Sequence, residues 1–478
     1  MKPIQVAFAA GFAVALSFLI SCGESCGEPE QSPESGAPAV RRPNVVLIVI
    51  DSLRADHLSH YGYARPTAPA LDSFRSHATL FTRAYSPAAW TNPSTASLLT
   101  GLLPARHGVR SIRDRLSEDA LTLAELLSLN GWATAGISLN ANVSQKAGLA
   151  QGFEVFSKTG GTTMAYPDVR RMVDLLPALL DDFEARPFFL YLHPMNVHGP
   201  YLVPEEHRSA LLGVPPSELF EYRGSPMIDI LRDGDLGLRA SVDAAMLASL
   251  VDQYDTAIRY TTDRIGEIFD QLIERDLYDS SLIILTSDHG EELFEHGGFG
   301  HGYSLHREVV HVPLYLKLPQ QRSPATYRSA VSLVDLMPTL VELLQLEGAG
   351  ELDGRSLARD LETGSDTLGE RTMFWDGRWQ ERFVGAAVES AGMRLIAVQQ
   401  EYGGMRDESL LFDLDVDPAE TRNLAASAPE TARRLRAELD RHLADAANRA
   451  LPPAPRTLDA AERRALELLG YLEPGDAH

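Results

Sequence analysis

Residues 44–50 read Asn-Val-Val-Leu-Ile-Val-Ile, and Asp51 follows at once. An unbroken apolar, β-branched run of this kind suits a strand buried on both faces, as in parallel sheets covered by helices. Similar runs recur at 187–192, 281–285 and 312–316. Helical patterns lie between them. Tyr254, Ile258, Thr261, Ile265, Ile268/Phe269 and Leu272 repeat every three or four residues, and the stretch 121–130 ends at Gly131, a helix stop. Strands alternating with helices predict an α/β fold with a mostly parallel central sheet sandwiched by helices.

After Leu344 the runs shorten. The segments 372–375, 385–388, 393–398 and 410–413 read as short strands, followed by a helix over 429–447, which predicts a small C-terminal antiparallel sheet plus helix. The 478 residues exceed the roughly 250–300 that one core organises. The expected division is a larger domain over 43–350, a subdomain over 351–450, and a tail over 451–478 with a short helix at 459–469.

The chain opens with Lys2 and an apolar stretch from Ile4 to Ile20, ending Leu19-Ile20-Ser21-Cys22. A basic start, a short apolar run and small residues read as a secretory signal. Cys22 and Cys26 are the only cysteines, so no disulfide framework or multi-cysteine zinc site is expected in the body. Residues 23–42 are rich in Gly, Pro, Ser and Glu and read as a disordered tether. The 66 acidic against 43 basic residues give a net charge of −23, which argues against a nucleic-acid partner, since phosphate contacts need a surplus of Lys and Arg.

Three segments carry chemistry, each placed by a predicted strand or helix end. Asp51 ends an all-apolar strand, where a carboxylate is costly to bury unless it pairs, caps a turn or binds a metal. Asp288 and His289 follow the strand at 281–285, and together they offer oxygen and nitrogen to one divalent cation; read alone, Asp-His-Gly is also a common loop string. Thr91 precedes Pro93, which suits a first helical turn, in a short helix ending near Gly101. A helix N-terminus favours an anionic phosphoryl or sulfuryl group, although Thr91 alone reads simply as an N-cap.

Taken together, NVVLIVIDSLRAD (44–56), TNPSTASLLTG (91–101) with Pro104, His107 and Gly108, YLHPMNVHGPY, YDTAIRYTTDRIG, TSDHGEELFEHGGFGHG and LFDLDVDPAETRNLA stand in the order seen in sulfatases. Over about residues 44–447 the chain resembles a sulfatase-family member of the alkaline phosphatase superfamily. The resemblance implies one divalent cation, with Ca, Mn, Mg and Zn all open, held by Asp51, Asp288 and His289 and touched by the nucleophile Thr91. It places His198 and His301 against the ester oxygens or the leaving group, with Thr95 and Asn140 also facing substrate. His193, His296, His306 and His311 are read as structural. The N-terminus separately resembles a bacterial lipoprotein box, with Cys22 as the lipidated residue and a plain signal peptide as the alternative. An extracytoplasmic lipoprotein, in the periplasm or on the outer membrane, is then expected, touching the membrane only through its N-terminal lipid.

The chain also departs from sulfatases. Those enzymes oxidise a Cys or Ser to formylglycine, with Pro two and Arg four residues on. Here the residues are Thr91, Pro93 and Thr95. Oxidation of threonine would give a ketone, so formylglycine is not expected. Ser52 stands where a second metal carboxylate or amide is usual, and a Lys-x-x-His pair that many sulfatases carry after the next strand is absent, with Ser138-Leu139-Asn140 in its neighbourhood. In sister families threonine is the nucleophile toward phosphorus, with an acid, Thr, Asp and His metal set. The leading expectation is a metal-dependent hydrolase of sulfate or phosphate esters acting on a sulfated or phosphorylated small molecule or glycan. A phospho-headgroup transferase and a non-catalytic protein that binds anionic glycans are the alternatives.

Overall fold

The computed structural model describes residues 42–158, 168–183, 186–204, 207, 243–379, 383–401, 404–468 and 471–472. The expected signal segment, lipidated Cys22 and the tether through residue 41 lie outside these residues.

Among the described residues seventeen strands follow one another: β1 (Val45–Ile50), β2 (Thr79–Tyr85), β3 (Asp114–Arg115), β4 (Ala133–Ser138), β5 (Val155–Lys158) and β6 (Phe188–His193) come first. Then come β7 (Leu282–Ser287), β8 (Glu292–Leu293), β9 (Phe299–Gly300), β10 (His311–Lys317), β11 (Ala325–Tyr327) and β12 (Val331–Ser332). The last five are β13 (Met373–Trp379), β14 (Phe383–Ser390), β15 (Met393–Glu401), β16 (Gly404–Asp413) and β17 (Ala454–Pro455). The nine-stranded main sheet runs β11-β2-β10-β7-β1-β6-β4-β5, with β12 also on β2. β1 lies parallel between β6 and β7, while β10 is antiparallel to both of its neighbours, β7 and β2. The sheet is therefore mostly parallel, as its apolar runs predict.

β1 shows why. Val46, Ile48 and Ile50 enter one core with Tyr254, Ile258 and Ile265 of the long Ala244–Glu274 helix. Val45, Leu47 and Val49 enter the opposite core with Leu123, Leu126 and Leu336. A strand with both faces covered must be apolar at every position, and alternation sorts the residues between two helical layers. The helix expected at 121–130 is Leu123–Leu129, opened by a capping box between Thr122 and Glu125.

The antiparallel sheet β13-β14-β15-β16 has its own two faces. Val388, Leu395 and Leu411 pack under Leu435 and Leu439 of the Pro429–Asn448 helix. Burying each of those leucines contributes roughly 1.5–3 kcal/mol. Trp375, Ile396 and Phe412 face the other way, into a cluster with Trp90, the residue before Thr91. The strands are longer than the sequence patterns imply because β-ladder pairing carries through polar residues such as Asp376 and Arg378. The tail is stitched on by β17 against β3 and by the Arg456 amide, which donates to Arg113 O at 2.7 Å. Its short helix is Ala460–Leu468. Among the described residues no helix is long and apolar enough to cross a membrane.

Candidate active site

The carboxyl ends of four parallel strands deliver the site. Asp51 follows β1, Asn140 lies beyond β4, His193 closes β6, and Asp288 and His289 follow β7. Ligands in open α/β sheets bind at this edge because the strand ends and the following loops converge there. The edge is dry: Asp51, Thr91, Asn140, His193, Asp288 and His289 are all fully buried.

Thr91 is the first residue of the Thr91–Thr100 helix, and Trp90, in extended backbone, is the N-cap. The expectation that Thr91 itself caps the helix is corrected. Its hydroxyl is thus free for other partners. All ten helix residues are buried, and the helix stops at Gly101, whose φ of 66° is left-handed. Thr91 Oγ1 lies 3.2 Å from His289 Nε2, 3.2 Å from Asn140 Nδ2 and 3.1 Å from the Tyr471 hydroxyl.

Asp51, Asp288 and His193 each place one ligand atom within 4.8 Å of the others. His193 Nε2 is 3.2 Å from Asp51 Oδ2 and 3.8 Å from Asp288 Oδ2. His289 Nε2 is 3.7 Å from Asp51 Oδ1 and 3.5 Å from Asp288 Oδ2. The predicted set of 51, 91, 288 and 289 is therefore gathered, with His193 added. The sequence reading gave His193 a structural role. Yet His193 ends an apolar strand at the sheet's carboxyl edge, the same signal that marks Asp51 and Asp288.

Whether a cation fits here is decided by the leftover polar atoms. Asp288 Oδ2 is buried with no hydrogen-bond partner among the described residues, which is costly unless something positive meets it. Burial and the facing Asp51 charge push Asp288 well above the ordinary carboxylate range. Burial would raise Asp51 too, but the His193 hydrogen bond and the neighbouring imidazoles hold it low. Two carboxylates this close stay ionised together only when a cation sits between them. The donor set of two carboxylates and imidazole suits a divalent ion.

Backbone carbonyls set the imidazole tautomers. His198 Nδ1 lies 2.7 Å from Gly199 O and His289 Nδ1 lies 2.9 Å from Gly290 O, so both Nδ1 atoms carry the proton and both Nε2 atoms present lone pairs. Burial lowers both pKa values, keeping both rings neutral. Gly290 has no room for a side chain: a Cβ there would lie 2.0 Å from Glu308 O. Asn142 N–H donates to Asn140 Oδ1 at 2.7 Å, which turns Asn140 Nδ2 toward Asp51 Oδ2 at 2.5 Å and toward Thr91. Ser52, at φ 59°, donates its hydroxyl to Asp51 Oδ1 at 3.0 Å and its amide to Asp288 Oδ1 at 3.3 Å. It orients the two acids rather than adding a third.

His301 stands beside this group, its ring 4.3 Å from His289 and 4.8 Å from His198, with Nδ1 3.2 Å from Glu291 Oε1. Thr95 is buried one turn along the helix from Thr91. His296 and His306 lie elsewhere, stacked 3.6 Å apart, each on its own acid, Glu308 and Glu420. With Glu420 the two rings form a second group whose ligand atoms lie within 4.8 Å of one another. His311 Nε2 is 3.0 Å from Thr82 O. Tyr471 gave no signal in the sequence, because nothing local to a tail tyrosine says which pocket receives it. Its hydroxyl is 3.0 Å from His198 Nε2 and 3.4 Å from Asn140 Nδ2, and burial pushes its phenol far above the usual range, so it is neutral.

Comparison with known proteins gives this architecture its class, the ester hydrolases of the alkaline phosphatase superfamily. Residues 43–346 match the family model described as Sulfatase. The chain belongs to the sulfatase family. It is 24% identical to arylsulfatase K of Mus musculus over 429 residues, which cover 81% of this chain and 77% of that protein. The solved phosphonate monoester hydrolase of Agrobacterium radiobacter superposes with a TM-score of 0.68 at 22% identity, covering 87% of this chain and all of that one. A structure of a protein in complex with its substrate D-glucosamine-2-N,6-O-disulfate gives 0.67 at 18% identity, covering 85% and 99%. Sulfatase-family enzymes are metal dependent, in line with the donor set here.

Proposed function

We propose that this sulfatase-family hydrolase cleaves singly charged phosphorus esters, a phosphate diester or a phosphonate monoester, with Thr91 as nucleophile. The relatives' names span sulfate and phosphonate chemistry, and residue 91 discriminates between them. The observation that carries the reading is a threonine hydroxyl at a buried helix N-terminus, 3.2 Å from His289 Nε2 and facing the Asp51–Asp288 pair. A threonine phosphoester can be hydrolysed by water, whereas a threonine sulfate lacks the elimination route that formylglycine provides.

Charge narrows the choice among phosphorus esters, away from the doubly charged phosphate monoesters. Asp51 and Asp288 balance one divalent ion, and the other neighbours of the Thr91 hydroxyl, Asn140 and Tyr471, are neutral. Among the described residues no Lys or Arg bonds to Thr91, Asp51, Asn140, Asp288 or His289 through its side chain. Carrying a dianion into so dry a site without a further cation costs more than carrying a monoanion.

Asp51, Asp288, His193 and His289 would hold the cation. When bound, it supplies positive charge beside the hydroxyl and the phosphoryl oxygens. The chain's own residues do the rest. Asn140 orients the Thr91 oxygen, the helix N-terminus favours negative charge there, and buried walls exclude water. His198 and His301 serve the departing oxygen. Thr91 then carries a phosphoester that water resolves.

The test is turnover of bis(p-nitrophenyl) phosphate, p-nitrophenyl phenylphosphonate, p-nitrophenyl phosphate and p-nitrophenyl sulfate with Ca²⁺, Mn²⁺, Mg²⁺ or Zn²⁺. The singly charged phosphorus esters should lead, phosphothreonine should be trapped at residue 91, and Thr91→Ala should abolish both. Preference for the sulfate ester would overturn the choice of phosphorus. Tight tungstate binding with no ester turned over would favour the non-catalytic reading.

A further inference from the structure

Attack by Thr91 releases its hydroxyl proton, and the hydrogen bonds show where it can go. His289 Nε2 is one neighbour, but that lone pair faces the Asp51 and Asp288 oxygens at 3.7 and 3.5 Å, in the group that suits a cation. Asp288, whose carboxylate also interacts with the Thr91 hydroxyl, belongs to that same group, and Asn140 Nδ2, at 3.2 Å, can only donate; the remaining neighbour is Tyr471, at 3.1 Å. Because Gly199 O holds the proton of His198 on Nδ1, His198 Nε2 can only accept, so the Tyr471 hydroxyl at 3.0 Å donates to it. The tyrosine oxygen is then an acceptor toward Thr91, and the chain of bonds runs one way, from Thr91 to Tyr471 to His198.

We propose that Tyr471, delivered by the C-terminal tail, is a catalytic residue that relays the Thr91 proton to His198. The proposal rests on Thr91 being the nucleophile. The Thr91 Oγ–H bond breaks as the oxygen pair forms a bond to phosphorus. Tyr471 takes that proton and passes its own to His198 Nε2. The ester P–O bond breaks with its electron pair on the departing oxygen, to which the His198 imidazolium returns a proton. No oxidant or further reactant is needed.

The tail is anchored for this task. Lys146 Nζ meets Glu462 Oε2 at 3.0 Å, and Arg456 Nη1 meets Asn142 Oδ1 at 3.4 Å, two residues beyond Asn140. Leu466 and Tyr471 share a buried cluster with Trp90 and Trp379, and the Trp379 and Tyr471 rings lie 5.6 Å apart.

The experiment compares the full-length wild type with Tyr471→Phe and Tyr471→Ala, each loaded with the metal that supports turnover, on bis(p-nitrophenyl) phosphate. Tyr471→Phe keeps the ring and its packing, so its melting temperature should stay near wild type while kcat/KM falls ~10²-fold or more, the usual worth of positioned proton transfer. In mixtures of H₂O and D₂O the wild-type rate should fall along a curve showing two moving protons, and the Tyr471→Phe rate along a straight line. A Tyr471→Phe rate within threefold of wild type, or a Tyr471→Ala enzyme faster than wild type, overturns the relay and leaves the hydroxyl a mere cover. If the wild type turns over no ester, or Thr91→Ala retains turnover, the nucleophile reading fails and the relay falls with it.

Discussion

Thr91 Oγ1 and His289 Nε2, 198 residues apart in the chain, lie 3.2 Å from each other. One opens a helix, the other follows β7, and neither is exposed to solvent. The contact sets a hydroxyl against a neutral imidazole lone pair, beside two acids.

Asp288→Asn should separate stability from metal binding. Without metal, the folded chain holds Asp288 protonated while the unfolded chain releases that proton near pH 7, so replacing it by a neutral amide removes this cost and the melting temperature should rise by a degree or more. Metal affinity, read by calorimetry, should fall about 100-fold or more. An unchanged melting temperature together with retained affinity would remove Asp288 from the cradle.

His193→Gln should also weaken metal binding, by about tenfold or more, although the residue reads as structural from sequence alone. Tyr191 supports it from behind, its hydroxyl 2.7 Å from His193 Nδ1. Tyr191→Phe should give a smaller loss in the same direction, as groups that orient a metal-binding imidazole do. Equal metal affinity in His193→Gln and wild type would return His193 to a structural role.

Acid stability should depend on His107. Burial, and then the Arg110 charge, push its pKa down from 6.5 to about 3. Val109 N–H donates to His107 Nδ1 at 3.1 Å, so a proton placed there would meet another hydrogen. As pH falls below 6.5, the unfolded chain takes up a proton that the folded chain refuses until about 3, and stability drops across that window. Between pH 7 and pH 5 the loss from this one group is about 2 kcal/mol. Urea midpoints at both values should show His107→Gln losing less than wild type on acidification; parallel losses would contradict the assignment.

Arg394 should be a keystone of the small sheet. It is 1% exposed, pairs with Glu420 at 2.8 Å and Glu389 at 3.1 Å, and lies 4.3 Å over the Trp375 ring. Against the cost of burial, the Arg394 charge and the His306 hydrogen bond pull Glu420 down to about 2. Arg394→Met takes the buried cation from between two acids, leaving Glu420 to His306 and the Arg307 amide and Glu389 to Arg83, and should cost about 3–5 kcal/mol in denaturant unfolding. Adding Glu389→Gln should recover part of that loss. A cost below about 1 kcal/mol would show the acids finding other partners.

The sequence alone determined the layered α/β architecture, because a strand covered on both faces has to be apolar throughout and a helix on a sheet has to carry a stripe. It likewise marked Asp51, Asp288 and His289, since a charged or ring-nitrogen group straight after such a run is expensive without a partner. Motif order marked Thr91, His198, His301, Thr95 and Asn140. Tertiary structure decided what depends on convergence from remote segments. It showed that Trp90 caps the helix, that Ser52 steadies two acids, that His193 joins them from β6, and that Tyr471 reaches the hydroxyl across 380 residues of chain. Periodicity and local spacing report which face of an element is covered. They carry no information on which distant side chain shares the covered space, and that is settled only when the layers close.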